Sequence, residues 1–387
     1  MVRFGIVGIG NMGNAHAKNI LAGKVDNATL TAICDTSEER RKYAEENYEG
    51  VKVFATAHEM FESGLIDAVE IATPHYDHAI IAIDAFEHGI NVLVEKPAGV
   101  YTKQVMEMNE AAKKSGKLFG IMYNVRTYPV YQKLRKLIHD GELGKINRVN
   151  WTITDWYRSQ AYHDSCTWRS TWRTEGGGAL INQNPHNLDI WQWLFGMPSK
   201  VMSHVGFGKY YDIEVEDDVT VFMEYENGMT GTYITSTGEA PGTNRLEIAC
   251  DRGRVVVENN KIFFDRTVVP VSEFNKTNTA VFGTPESWKI EVPFRDYSFS
   301  PHVEIFKNYV KALETGSELL APGEEGINGL TISNAVHYSA WTGGWADIKN
   351  FPHDEFYALL QDKIAKSTVV KAEKQTVSAD MEASFNG

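Results

Sequence analysis

The sequence predicts two domains: a doubly wound parallel α/β domain and, after it, a domain built on a meandering antiparallel sheet. Three observations carry this reading. From "VRFGIVGIG" to "KLFGIMYN" short apolar runs alternate with helix-spaced segments, the βαβα order of a parallel sheet with crossover helices. A glycine cluster, Gly8, Gly10 and Gly13, stands between the first strand and the first helix. Beyond "GELGK" the pattern turns to strand-like segments joined by tight polar turns, "ENG" at 226–228 and "DRG" at 251–253, which mark hairpins. A chain of 387 residues exceeds one ordinary core and suits two. The expected bounds are 1–125, 126–350, and a C-terminal helix with a polar, poorly ordered tail over 351–387.

Each element follows from its residues. "VRFGIV" is a buried strand, and "NMGNAHAKNILA" is a helix with Met12, Ala15 and Ile20 on its apolar side. "ATLTAICD" is the second strand and ends at Asp35. "AVEIATP" is a strand running to Thr73 and Pro74, "HYDHAIIAIDAFEHG" a helix closed by Gly89, and "INVLVEKP" another strand. "YTKQVMEMNEAAKKSG" is a helix with lysines in its last turn and Gly116 beyond it, the usual stop signal. In the second part "PHNLDIWQWLFG", "SPHVEIFKNYVKALETG" and "EEGINGLTISNAVHYSAW" read as helices. Pro185 and Pro301 suit first turns.

The glycine turn points to a dinucleotide. Gly8 permits the tight turn, Gly10 lets the backbone approach a pyrophosphate, and Gly13 lets the helix sit close on the strand. Free N–H groups at the helix start attract phosphate. Asp35 can accept hydrogen bonds from both ribose hydroxyls and would repel a 2′-phosphate, so NAD is favoured over NADP. Candidate cofactor contacts in this turn are Gly8, Ile9, Gly10, Asn11, Met12 and Gly13, with Asp35 and Arg40 after the second strand. Ligands in such folds sit at the carboxyl ends of strands, where Thr73, Pro74, Glu95, Lys96 and Asn124 fall, with His78 in the helix that follows as a further cofactor candidate. Tyr123 falls at a strand end too, as a substrate contact.

Composition narrows the rest. Lys and Arg number 38 against 51 Asp and Glu, a formal charge of −13, which leaves no basic footprint for nucleic acid. No stretch has the apolar length of a membrane span, and the N-terminus lacks the marks of a signal peptide. Cys34, Cys166 and Cys250 have no metal or redox spacing. A cytoplasmic protein with free thiols and no metal site is expected.

These residues resemble the Gfo/Idh/MocA oxidoreductases, the glucose–fructose oxidoreductase and inositol dehydrogenase group. The likeness rests on "GIVGIGNMG", "AICDTSEER", "IATPHYDHAIIAIDAFEHGINVLVEKP" and "EGGGALINQNPHNLDIWQWLFG". It implies a Rossmann domain and an α+β C-terminal domain with a large open, mostly antiparallel sheet. One face of that sheet would cover the site and the other would form a homodimer or homotetramer. The family lysine of EKP falls on Lys96, and the histidine of the D-x-x-x-H pattern on His186. The aspartate of that pattern falls on Asn182, a departure. The family's Trp-Arg pair near the nicotinamide falls on Trp172 and Arg173.

Read without the resemblance, Lys96 is a strand-end lysine and His186 a core histidine. With it, His186 is the general base, kept neutral by the helix N-terminus, and Lys96 stabilises the substrate oxygen. Asn182 either caps the helix or positions a hydroxyl; it cannot accept a proton. Asp189 is available to orient the imidazole. The stretch "TDWYRSQAYHDSCTWRSTWRTEGGG" crowds aromatic residues ahead of a flexible glycine run. It reads as packing between domains or as a carbohydrate-facing wall, with Asp155, Trp156, Tyr157 and Arg169 as substrate contacts and Arg158 beside them. The expected activity is an NAD-dependent dehydrogenase for a secondary hydroxyl of a sugar, sugar derivative or cyclic polyol. A glycoside-cleaving enzyme that recycles NAD through a keto-sugar is a second reading, and a non-catalytic NAD-sensing binding protein a third.

Overall fold

The computed structural model describes residues 1–369 apart from Asp296 and Ser298; the polar tail expected after that point lies outside the described residues. The first part alternates as its sequence demands: β1 (Val2–Val7), α1 (Asn11–Leu21), β2 (Ala28–Cys34), α2 (Glu38–Asn47), β3 (Lys52–Phe54), α3 (Ala57–Glu62), β4 (Ala68–Ile71), α4 (Asp77–Glu87), β5 (Asn91–Val94), α5 (Thr102–Ser115) and β6 (Phe119–Ile121). All neighbours pair in parallel in the order β3-β2-β1-β4-β5-β6. The strand order therefore reverses between β1 and β4, which opens a crevice at their carboxyl ends. Helix ends follow local chemistry. Ser37 caps α2, Thr56 and Glu59 form a capping box on α3, and Gly116 closes α5 at φ 64°. The buried side of α1 is Gly13, His16, Ala17 and Ile20, one position round from the expected face, because Gly13 must lie against the turn.

The second part contains α6 (Pro129–His139), β7 (Ile146–Ile153), α7 (Gln160–Asp164), α8 (Pro185–Phe195), β8 (Lys200–Phe207), β9 (Glu216–Glu224), β10 (Thr230–Ser236), β11 (Asn244–Cys250), β12 (Gly253–Glu258), β13 (Lys261–Thr267), α9 (Val271–Thr277), β14 (Ser287–Glu291), α10 (Pro301–Thr315), α11 (Gly326–Thr342), β15 (Ala346–Asp347) and α12 (His353–Lys366). The sheet order is β14-β13-β12-β11-β7-β10-β9-β8-β15. Both expected hairpins are present, β9–β10 and β11–β12. The sheet is not a simple meander, since β7 and β10 pair in parallel at its centre, with Trp151 opposite Tyr233. The chain leaves β7 to build α7 and α8 and returns through β8 and β9, so its next central strand runs the same way.

α2, α3, α7 and α9 were not read from the sequence, and two further helices depart from the sequence reading. α6, with Val130 and Leu134 buried, was not foreseen. α10 falls in the span of the second domain yet covers the first sheet: Phe306 meets Phe4 edge-on at 5.6 Å, and the Tyr309 hydroxyl donates to the Leu118 carbonyl at 3.1 Å.

Candidate active site

At the end of β1 the glycines are placed by contact. Gly8 has φ +87°, and a Cβ there would lie 2.8 Å from the Ala72 carbonyl oxygen. A Cβ on Gly13 would lie 1.9 Å from the Gly8 carbonyl oxygen, so only glycine lets α1 seat on the turn. A Cβ on Gly10 would meet only Arg40 Nη1, at 3.8 Å, and no side chain caps α1 there. That opening, bounded by uncapped N–H groups, suits a pyrophosphate. Beside it Asp35 Oδ2 accepts the Ile9 N–H (2.9 Å) and Oδ1 the Ser37 N–H (2.8 Å), with Arg40 Nη1 3.6 Å away. Asn11 is exposed and Met12 half-buried. These residues fit a dinucleotide.

The other strand ends carry different tasks. Thr73 Oγ1 and Asn124 Oδ1 are buried without a protein partner, and Pro74 is exposed. His78 sets its two ring nitrogens 2.8 Å from the Thr73 and Pro97 carbonyls, acting as a strut between β4 and β5. Glu95 turns inward to His16 Nε2 at 2.8 Å and accepts the Lys96 N–H at 3.1 Å. Burial alone would raise the Glu95 carboxyl, but His16 and its charge bring it down to about 2. Glu95 is thus an anchor beneath Lys96 and not a group facing a ligand.

Lys96 Nζ donates to the Asn182 carbonyl at 3.3 Å. Burial lowers its pKa, with Glu95 and Glu175 pulling it back up. His186 is 8% exposed, and its Nδ1 is buried without a partner. Burial, then the Lys96 charge, holds the imidazole well below its usual range, so it is neutral at pH 7. Burial is thus a cause that the sequence reading, which named only the helix end, did not include. Tyr123, buried at the end of β6, sets its ring edge-on to His186 at 6.3 Å.

Several expected roles change. Asn182 does not cap α8; the cap position is Asn184, and the Asn182 amide donates to Glu175 Oε1. Asp189 does not orient His186. It is taken by Arg126, whose Nε and Nη2 reach its two oxygens at 2.8 and 2.6 Å in a buried bidentate pair. The glycine run is not flexible. Gly176 to Gly178 are buried, a Cβ on Gly178 would lie 2.1 Å from the Glu216 carbonyl oxygen, and Glu216 Oε1 accepts the Gly178 and Leu180 N–H groups, each at 2.9 Å.

The aromatic stretch divides in two. Arg158 lies over the Trp156 and Tyr162 rings, and Arg169 over Tyr162 and Trp168. Trp168 meets His75 edge-on at 5.4 Å, so this wall runs to the strand ends of the first sheet. Arg169 also acts electrostatically on Lys96. Trp172 and Arg173 turn elsewhere: the indole packs on Phe207, His337 and Trp341, and the exposed guanidinium reaches the Ile364 carbonyl. Trp168 and Arg169 are the pair that lies beside His75 and Lys96. Tyr157 is half exposed, and Asp155 lies by Asn244 and Tyr131; neither is brought to Lys96. The sequence reading missed Glu175, Glu216 and Arg126. An acid directly before three glycines was a signal for Glu175; nothing local marks the other two.

Comparison with known proteins agrees with the fold. Residues 2–123 match the family model described as an oxidoreductase family with an NAD-binding Rossmann fold, and residues 131–256 match the GFO/IDH/MocA C-terminal domain. The chain is 23% identical over 346 residues to the myo-inositol 2-dehydrogenase of Thermotoga maritima, covering 87% of this chain and 96% of that protein. It is 26% identical over 266 residues to the scyllo-inositol 2-dehydrogenase (NAD(+)) of Bacillus subtilis, covering 66% and 73%. Among solved structures it is similar to the WlbA dehydrogenase of Bordetella pertussis in complex with NADH and UDP-GlcNAcA. There the TM-score is 0.74 and the identity 27%, over 89% of this chain and 98% of that one.

Proposed function

The chain belongs to the GFO/IDH/MocA family of NAD-binding oxidoreductases, and from that premise we propose that it oxidises a secondary hydroxyl of a sugar, sugar derivative or cyclic polyol, or reduces the matching ketone. The observation that carries the reading is the convergence of Lys96 and a buried, neutral His186 at the strand ends beside the glycine turn. NAD, when bound, supplies the hydride acceptor. The uncapped start of α1 and Gly10 hold its phosphates, Asp35 its adenosine ribose, and Thr73 and Asn124 offer unpartnered polar atoms nearby. His186 takes the hydroxyl proton, and the Lys96 ammonium stabilises the charge that grows on that oxygen. Asn182, Tyr123 and the Arg169 wall orient the ring. The relatives named for inositols support a ring-borne alcohol as the substrate class.

Asp35 supports NAD over NADP, since a carboxylate after the second strand would repel a 2′-phosphate. Arg40 offsets part of that repulsion, so the preference is expected to be moderate. The test is NADH formation over a panel of inositols, sugars and sugar acids, repeated with NADP. Turnover with at least one alcohol is expected, falling by about 10²-fold or more in both Lys96→Ala and His186→Ala. Turnover retained in both variants, or none with any alcohol, would overturn the assignment.

A further inference from the structure

We propose that Glu175 is the missing carboxylate of this site, a positioning residue that acts through Asn182 and fixes the pH range over which Lys96 stays an ammonium. The proposal rests on the roles given above to Lys96 and His186. Asn182 stands where the family pattern has an aspartate, so the chain has lost a negative charge at that point. The structure returns one from seven residues upstream. The Asn182 amide donates to Glu175 Oε1, while the Asn182 carbonyl accepts from Lys96 Nζ at 3.3 Å. One residue thus joins the carboxylate to the lysine. Glu175 Oε2 accepts the Ser170 N–H at 2.5 Å, and the side chain is 2% exposed. Among the described residues no Lys, Arg or His nitrogen lies within 4 Å of the carboxylate, so its charge is not cancelled by an ion pair.

Among the groups that act on its carboxyl, Glu175 is itself the one brought near neutrality. Burial pushes its carboxyl up to about 7, against the Ser170 and Asn182 hydrogen bonds and the Arg169 charge, which pull it down. Glu216, on β9, adds like-charge repulsion, and its own carboxyl is held low by His337 once burial is overcome. Tyr162, on α7, is raised by burial and stays a phenol. His75, whose Nδ1 donates to the Glu175 main-chain carbonyl at 3.1 Å, is driven down to about 3 by burial and stays neutral. Lys96 and Arg169 are the cations that feel the change. As pH rises past 7, Glu175 ionises and opposes the loss of the Lys96 proton, which burial would otherwise bring early.

Glu175→Gln removes the charge and keeps the shape. The substituted amide can accept the Ser170 N–H with its oxygen and donate to Asn182 if that residue's own amide turns over. When Glu175→Gln is combined with Asn182→Asp, the substituted amide donates to the new carboxylate, and the charge is restored one step nearer Lys96. The experiment titrates the free protein by carbon-13 NMR, with glutamate δ-carbons and lysine ε-carbons labelled. Lys96→Ala and Glu175→Gln assign the two signals, and thermal melts confirm folding. The expected result is a carboxyl titrating near pH 7 that vanishes in Glu175→Gln, with Lys96 titrating about one pH unit or more lower. The double variant is expected to recover most of that shift, and the alkaline limb of kcat/KM should move with it. A Glu175 carboxyl titrating below pH 5, or a Lys96 titration unmoved in Glu175→Gln, would overturn the proposal. Both readouts hold whether or not any alcohol is turned over, so a failure of the assigned reaction is seen separately.

Discussion

A buried imidazole with no protein partner on Nδ1 costs free energy until something completes it, and His186 is held in that state by Pro185 in the first turn of α8 and by Tyr123 against its ring. Its lowered pKa has a definite consequence for rate. If His186 is the base of the proposed reaction, it stays neutral below the ordinary 6.5, so kcat/KM on the acid side is expected to stay level through pH 6 and to fall only well below 6.5. A pH profile at saturating NAD checks this; a limb at 6.5 would mean that the base is solvated. Asp35 and the glycine turn were marked in the sequence by the strands and helix around them, whereas Lys96 and His186 were singled out only through the family resemblance. The partners of those residues were not. Asp189 finds Arg126 across 63 positions and Asn182 finds Glu175 only after a glycine run has folded back. Trp172–Arg173 and Trp168–Arg169 have the same two letters, and which pair faces the strand ends is decided by the turn between them.

Elements were read more surely than their neighbours. Periodicity identifies β1, β2, β4, β5, β6 and most helices, though not β3, and it cannot report that α10 returns to the first sheet or that β7 lies parallel to β10. Those facts are settled by Phe306 and Tyr309 meeting Phe4, and by Trp151 facing Tyr233. Glycine illustrates the same limit, because the letter does not say whether the missing Cβ serves the fold or a ligand. The contacts do. Gly178→Ala puts a methyl 2.1 Å from a main-chain oxygen that cannot swing away; a cost of about 1–3 kcal/mol is expected, seen as a Tm lowered by several degrees. Gly10→Ala meets no protein atom closer than 3.8 Å, so its Tm should stay within about 2 °C of wild type while NAD affinity falls about tenfold or more. Calorimetry and a fluorescence titration on the two variants separate the cases. Equal Tm losses would show that both glycines serve packing alone.

Across the whole molecule, the second sheet uses its two faces differently. Val219, Val221 and Met223 of β9 turn inward and are buried. The alternate positions turn outward, and there Phe222 is 41% exposed, directly opposite Met202 at 45%. Trp345 joins them, its ring 6.0 Å from Phe222, with Lys200 Nζ 4.4 Å above it. Three large, partly exposed apolar side chains side by side mark this face as a candidate contact surface. A second copy of the chain is the cover that the family resemblance implies, the same patch meeting itself about a twofold axis. Light scattering on the purified protein should then give a dimer or larger, with a Tm that rises with concentration. Phe222→Glu would set a carboxylate into that contact without touching the inward face, so it is expected to lower the mass or to move dissociation to higher concentration. A wild-type monomer, or a variant mass equal to wild type, would place the assembly contact elsewhere or remove it.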